Sequence, residues 1–367
     1  MTANPGVSIA RRSSTLSSSL GLGERLFASG DERKLADAIE AGLERVEAML
    51  LQEVRFADDL ADTTSRYLLE AGGKRVRPVL VLLTAQLGDG ATEEVVRSAT
   101  ALEITHLASL YHDDVMDEAQ MRRGVPSAQS VWGNSVAIIT GDLLFARAST
   151  LLVGLGEEAL RLQADTFERL CLGQLHETIG PREGDEPVAH YLQVLADKTG
   201  SLIATAAESG VRFSNASHEY IAPLREFGER IGVAFQLVDD VIDLSAESES
   251  TGKEAGTDLR AGVATLPLLY LREAAETDAG SAALLDRIER AVAASHAPAD
   301  APDAASAAER ELAAVVAELR VHPATARTLD DARRYAAEAI SALEPIPDGA
   351  VKTALTQFAG RVVDRDG

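Results

Sequence analysis

The sequence predicts an all-α protein, on three observations. Hydrophobic residues make up 46% of the 367 residues but aromatics only 4%, and Ala, Leu and Glu, strong helix formers, are abundant. Apolar residues recur three or four apart in segment after segment, as in Leu35, Ile39, Leu43, Val46 and Leu50. No β-hairpin signal and no short fixed repeat interrupts that pattern.

Ala28-Ser29-Gly30-Asp31 marks the break before the first helix, whose periodicity runs on to about Leu69. Gly72-Gly73 ends that run, and Pro78 suits the first turn of the next helix. Residues 93–117 read as one long helix, 121–126 as a loop, and 135–153 as an apolar helix holding Gly141-Asp142. The helix after it carries Gly173-Gln174; 182–187 is a loop, and Lys198-Thr199-Gly200 interrupts a further helix. Residues 224–244 are helical, 251–267 form a Gly-rich loop, and two helices at 324–343 and 349–363 close the chain. The Ala-rich stretch 291–307, with Pro298 and Pro302, reads as a flexible insertion.

A chain of this size can bury one large core or two small ones. Its net charge of −23 disfavours nucleic acid and anionic membrane as partners. A single cysteine, Cys171, excludes an intrachain disulfide and fits a reducing compartment. There is no unbroken run of eighteen apolar residues, and the best local run, 79–87, is too short to span a bilayer. The first 23 residues lack acidic side chains and are Ser-rich with Arg11-Arg12, but no apolar stretch follows. Residues 1–30 are therefore read as a disordered tail, with organellar import as the alternative.

Two acidic boxes carry the chemistry: Asp113-Asp114-Val115-Met116-Asp117 and Asp239-Asp240-Val241-Ile242-Asp243. On a helix, residues i and i+4 share a face, so each box presents a ledge of carboxylates. Like charges so placed cost a bare helix about 0.2–0.5 kcal/mol per pair. A hard divalent cation reverses that sign. A solvated acidic face is the bland alternative for one box. Both boxes, however, are set into largely apolar helices, and carboxylates are rarely buried unpartnered. Two such boxes suggest two walls of one metal-lined cavity.

Bases stand out against the acidic background: Lys74, Arg75 and Arg77 near a helix start, Arg122 and Arg123 after the first box, and Lys198 and Lys253 in or beside loops. Any one alone reads as a solvated surface base. As a set they offer phosphate oxygens bidentate guanidinium donors and point charges. The ledges imply one diphosphate held through metals; Lys74 and Arg77 could hold a second without metal.

The ordered set resembles the trans-isoprenyl diphosphate synthase family. It comprises Gly72-Gly73-Lys74-Arg75-Val76-Arg77-Pro78, both D-D-x-x-D boxes, Arg122-Arg123-Gly124, Gly141-Asp142, Gly173-Gln174, Lys198-Thr199, Phe235-Gln236 and the Gly252-to-Gly262 segment with Lys253. The resemblance spans residues 31–367. It implies a single-domain helical bundle around a deep central cavity, a homodimer, and Mg²⁺-dependent condensation of isopentenyl diphosphate with an allylic diphosphate. Carried over by position, Asp113, Asp117 and Asp239 ligate Mg²⁺, with Asp114, Asp240 and Asp243 assisting. Arg122, Lys198 and Lys253 contact the allylic diphosphate. Lys74, Arg77, His106 and Arg123 hold isopentenyl diphosphate, and Thr199 and Gln236 sit near the allylic carbons. His112, beside the first box, is read as a packing or supporting residue rather than a base.

In such an enzyme the chain grows along the helix of Asp113, and one helix turn, about 5.4 Å, is close to one extended isoprene unit. Ala108 and Ser109, then Thr105, then Ala101 would gate successive lengths. Small residues where short-chain relatives place a bulky one point to a hexaprenyl to decaprenyl product for a quinone tail, with farnesyl or geranylgeranyl as runner-up. A class I terpene cyclase would not need Lys74 and Arg77. A non-catalytic partner subunit would have lost aspartates, and a metal-storage bundle would want paired Glu-x-x-His sets. The expected location is cytoplasmic, with transient membrane contact for product release and no nucleic acid partner.

Overall fold

The structure, a computed structural model, describes residues 29–245, 255–296 and 302–364. The expected N-terminal tail up to residue 28, Lys253 and the centre of the 291–307 stretch lie outside the described residues. In chain order the helices are α1 (Gly30–Glu53), α2 (Asp59–Glu70), α3 (Val76–Thr84), α4 (Glu93–Met116), α5 (Ala128–Trp132), α6 (Asn134–Val153), α7 (Glu157–Ile179), α8 (Pro187–Leu195), α9 (Ser201–Arg212), α10 (Ile221–Asp243), α11 (Thr257–Arg260), α12 (Leu266–Ala275), α13 (Ala279–His296), α14 (Pro302–Arg320), α15 (Pro323–Ala342) and α16 (Ala350–Val363). The all-α expectation holds.

Four local readings change. The periodic stretch up to Leu69 is two helices, because Asp58 caps a new one by accepting from the backbone N–H groups of Leu60 and Ala61. The 121–126 loop is a small antiparallel hairpin, β1 (Met121–Arg122) and β2 (Val125–Pro126). Its turn residues Arg123 and Gly124 both have positive φ, 53° and 77°, as a two-residue hairpin turn requires, but an Arg in the first position hides the usual signal. The described ends of the 291–307 stretch are helical, in α13 and α14. Finally, α6 is long and apolar enough to cross a membrane by length and composition. Thr140, Asp142 and Arg147 break the unbroken run, and α6 packs on α4, with Ala137, Gly141, Leu144 and Ala148 among its buried residues.

Where one domain was expected over 31–367, the chain groups into two compact units interleaved along the sequence. The first comprises Met1–Leu170, Ser201–Gly228 and Ala342–Phe358. Its core includes Leu68, Leu82, Leu83, Ile104, Leu107 and Leu144, each at most 1% exposed. Burying each such side chain contributes roughly 1.5–3 kcal/mol. Thr64 ties three helices: its carbonyl accepts from the Tyr111 hydroxyl of α4, and its hydroxyl from Thr140 of α6 at 3.0 Å. Glycine sets the approach of α9 to α3, since a Cβ on Gly210 would stand 2.3 Å from the Val81 carbonyl.

The second unit comprises Cys171–Gly200, Glu229–Ser341 and Ala359–Gly367. Leu237, Val238, Leu266, Leu271, Ile288 and Val315 build its core. A π-helical turn, Ala196–Gly200, follows α8 directly and holds Lys198 and Thr199. Such turns are rare and gather at functional sites.

Candidate active site

The first acidic box ends α4. The Asp117 N–H donates to the Asp113 carbonyl at 2.8 Å, so the helical turn continues through the box. Asp113 is half-buried and Asp117 exposed, whereas Asp114 is wholly buried. Arg122 Nε donates to Asp114 Oδ1 at 2.6 Å, tying the hairpin to the helix end. Burial pushes the Asp114 carboxyl up from its ordinary value against the opposing pull of Arg122. Its Oδ2 is buried without a partner. Arg122, expected on the allylic diphosphate, thus has its Nε directed to Asp114.

A basic cluster lies in the same unit. Arg75 is buried in the left-handed region at φ 52°, donating from Nε to Glu47 at 2.5 Å and from Nη1 to Glu103 at 3.2 Å. It is a structural base. Arg77 has a buried Nε with no partner. Burial and Glu103 act on Arg77 in opposite senses, and its value ends below the usual guanidinium range. Arg123, at the hairpin turn, donates to the Leu68 carbonyl at 2.8 Å, and chiefly burial pushes it down to about 10. Burial, then the charges of Arg77 and Arg123, hold His106 well below the ordinary imidazole value, so it is neutral near pH 7. Lys74 is exposed beside them. Gly73 permits the gathering: a Cβ there would lie 2.6 Å from Arg75 Nη1 and 3.1 Å from Arg123 Cζ. The cluster is a desolvated set of donors opposed mainly by Glu103, and an anion placed there would relieve its mutual repulsion.

His112 rests on α6. Its Nε2 lies 3.1 Å from the Ile138 carbonyl and 3.4 Å from Asp142 Oδ1. A Cβ on Gly141 would come within 2.3 Å of that nitrogen. Gly141-Asp142 is the seat of His112, in keeping with the packing role read from sequence.

In the second unit, Asp240 is buried, accepting from the Tyr191 hydroxyl at 2.6 Å and from Gln236 Nε2 at 3.4 Å. Burial pushes its carboxyl up to about 8. Asp243 holds the start of α11: its carbonyl accepts from Gly256 N–H at 2.7 Å and its carboxylate from Asp258 N–H at 3.1 Å. Asp239 and Thr199 are half-buried. Lys198 Nζ pairs with Glu177 at 2.5 Å. The π turn comes close to α7 because residue 173 is Gly, whose Cβ would stand 2.8 Å from Lys198 N.

Among the described residues no three acidic, His or Cys side chains converge as a ready-made metal cage. Mg²⁺ keeps several waters and takes one or two carboxylates plus substrate phosphate, so it does not require such a cage. The donors in both boxes are all oxygen, the type it prefers, and the orphaned Asp114 Oδ2 leaves an acceptor for a bound water.

A narrow cavity opens inside the first unit. It is lined by Ser98, Leu102 and Thr105 of α4, Leu152 of α6, residues 159, 162, 163 and 166 of α7, and Thr205, Ser209 and Phe213 in and just after α9. Of the four expected length-gating residues, Thr105 lines it; Ala101, Ala108 and Ser109 are buried in the packing of α4.

Residues 58–299 match the polyprenyl synthetase family. The chain is 42% identical over 359 residues to nonaprenyl diphosphate synthase of Mycobacterium tuberculosis, covering 97% of this chain and all of that one. The chain belongs to the polyprenyl synthetase family. The synthase also resembles solved structures. A polyprenyl synthase from Caulobacter crescentus, complexed with calcium and isoprenyl diphosphate, aligns with TM-score 0.78 and 31% identity over 91% of this chain and 97% of that one. Geranylgeranyl pyrophosphate synthase from Corynebacterium glutamicum, with the same ligands, gives 0.74 and 36% over 90% and 97%.

Sequence reasoning missed two residues of the candidate sites, buried Glu103 and half-buried Tyr191. Glu103, 3% exposed, organises the arginines; a carboxylate set in an apolar helix three residues before His106 is a signal that could have found it. Tyr191, partner of Asp240, had no signal, because its contact joins residues 49 positions apart.

Proposed function

We propose that the synthase joins isopentenyl diphosphate head-to-tail to an allylic prenyl diphosphate, making an all-trans product of hexaprenyl to decaprenyl length. The observation that carries this reading is the half-buried cluster of Arg77, Arg123 and His106, with the buried Glu103 opposing both arginines, in the same unit as the Asp113 box. One group of donors suits a diphosphate without metal, and the adjacent carboxylates suit a diphosphate with metal.

In this mechanism Lys74, Arg77 and Arg123 hold isopentenyl diphosphate, with neutral His106 as a hydrogen-bonding partner. Asp113, Asp117 and Asp239 hold Mg²⁺, and Asp114, Asp240 and Asp243 fix the geometry around them. The metal supplies charge neutralisation for the leaving diphosphate. Lys198, Lys253 and Arg122 bind that same group, and Thr199 and Gln236 lie along the allylic carbons. The allylic C–O bond breaks, and the isopentenyl double bond attacks the cation to form the new C–C bond. A proton then passes to the departed diphosphate. Fixed charges do this work by electrostatic preorganisation, without a covalent nucleophile.

The synthase is read as a cytoplasmic homodimer that meets a membrane only to release product. Similarity to the nonaprenyl enzyme supports a long chain, while similarity to the Corynebacterium enzyme favours a geranylgeranyl product as second reading. Chromatography of products from labelled isopentenyl diphosphate and a farnesyl primer, with and without Mg²⁺, tests both. Ala108→Phe and Ser109→Phe, assayed alongside, are expected to shorten the product. A native enzyme that stops at farnesyl or geranylgeranyl overturns the long-chain reading.

A further inference from the structure

We propose that Tyr191 and Gly200 are positioning residues: they pin the turn that carries Lys198 and Thr199 to the helix of the second aspartate box, so that the Lys198 ammonium and the box meet the same diphosphate. The inference rests on the reading above in which Lys198 binds the allylic diphosphate.

The second box has two faces. Asp239 and Asp243, four apart, share one face of α10, whereas Asp240 is turned about 100° from Asp239. Asp240 is 2% exposed, and both of its oxygens are engaged inside the unit. Its Oδ2 accepts from the Tyr191 hydroxyl at 2.6 Å and its Oδ1 from Gln236 Nε2 at 3.4 Å. Gln236, expected along the allylic carbons, thus gives an amide N–H to Asp240 from one turn earlier on α10. Asp240 is an anchor set behind the ledge, and through Tyr191 it anchors α8.

The same segment meets α10 a second time. α8 continues without a break into the π turn Ala196–Gly200. A Cβ on Gly200, at the end of that turn, would stand 3.2 Å from the Glu229 carbonyl of α10. Tyr191 meets Asp240 and Gly200 meets Glu229, in opposite order along the two segments, so α8 with its turn runs antiparallel to this part of α10. The two contact points on α10 are about 16 Å apart along its axis. Lys198 and Thr199 lie between the pins in sequence. From the other side, Lys198 Nζ pairs with Glu177 of α7 at 2.5 Å. A lysine is a point charge on a flexible stem, so its ammonium sits where backbone and partner hold it. The Gly200 contact is packing, and the Tyr191 hydroxyl supplies the directional link at the other end. Loss of that link leaves the segment free to pivot on Gly200, and a misplacement of about 1 Å can cost about 100-fold in rate.

The test uses the full chain and compares the native enzyme with Tyr191→Phe and Gly200→Ala, each also combined with Lys198→Ala. Tyr191→Phe keeps the ring and removes one oxygen; Gly200→Ala forces a shift of a few tenths of an ångström at the other pin. With farnesyl diphosphate, isopentenyl diphosphate and Mg²⁺, turnover should fall roughly 10- to 100-fold in Tyr191→Phe and about tenfold in Gly200→Ala. KM for isopentenyl diphosphate should stay within about twofold, as for a separate site. In the Lys198→Ala background either substitution should cost less than about threefold, because the place of an absent ammonium no longer matters. A role confined to supporting Asp240 would give the same factor in both backgrounds. Before substrate or metal is added, deuterium exchange of the amides over Ala196–Gly200 should be at least about fivefold faster in Tyr191→Phe than in the native chain. If Tyr191→Phe fails to fold, Gly200→Ala decides alone by the same readouts. Equal factors with and without Lys198, or unchanged turnover and exchange, overturn the inference and leave the proposed function standing. A native enzyme that forms no condensation product overturns both.

Discussion

Arg77 is the side chain on which the separation of two anion sites turns. It is enclosed near Glu103, with a buried Nε that has no hydrogen-bond partner. A charged hydrogen bond contributes about 1.5–3 kcal/mol, so Arg77→Ala is expected to raise KM for isopentenyl diphosphate roughly 10- to 150-fold. KM for the allylic primer should move less than about twofold. Steady-state kinetics with each substrate varied checks this, and equal rises in both would contradict two independent sites. His106 makes a pH prediction. Its folded value lies well below the unfolded value of about 6.5. As pH falls through the unfolded value, the unfolded chain takes up a proton that the folded chain refuses, so stability drops until the folded value is passed. Denaturant midpoints from pH 7 down to 5 should fall less steeply for His106→Gln than for the native chain; parallel slopes would count against an imidazole held neutral in the fold. Residue type and order single out Lys74, Arg77, Arg123 and the six aspartates as candidates. That Arg75 is structural, and that Arg122 gives its Nε to Asp114, depends on partners 28 and 8 residues away, which residue type does not encode.

Helix contacts explain motifs that chemistry alone leaves idle. Gly141 seats His112, Gly173 admits the π turn, and Gly210 lets α9 lie against α3. Ala is favoured over Gly in a helix by about 1 kcal/mol, so Gly→Ala would stabilise wherever space allows. At Gly210 the new Cβ would meet the Thr84 hydroxyl, the Val81 carbonyl and the Ala85 N–H group, whereas at Gly360 of α16 nothing lies within 4 Å. Gly210→Ala should therefore cost about 1–3 kcal/mol and Gly360→Ala gain up to about 1 kcal/mol in urea unfolding. A Gly210→Ala protein as stable as the native one would contradict the close approach. Helix positions were readable from apolar spacing: 93–117 became Glu93–Met116, and 135–153 became Asn134–Val153. The break at residues 54–58 was not, because apolar periodicity continues across it and only the Asp58 cap reports it.

At the scale of the whole molecule, the family was legible while the division into two units was not. The units interleave three segments each, so no linker or composition shift marks a boundary. Net charge of −23 gives the basic cluster its meaning, since nitrogen donors are gathered against the prevailing sign. The proposed function requires that the Asp113 and Asp239 boxes serve one Mg²⁺-dependent reaction. The most direct measurement is diphosphate release by the native enzyme, Asp113→Ala, Asp239→Ala and the double variant, at saturating Mg²⁺ with both substrates present. Each single variant should lose about a thousandfold or more in turnover. The double variant should lose far less than the product of the two, as for groups that act as a unit. Near-native turnover in either single variant, or losses that multiply in the double, would contradict it.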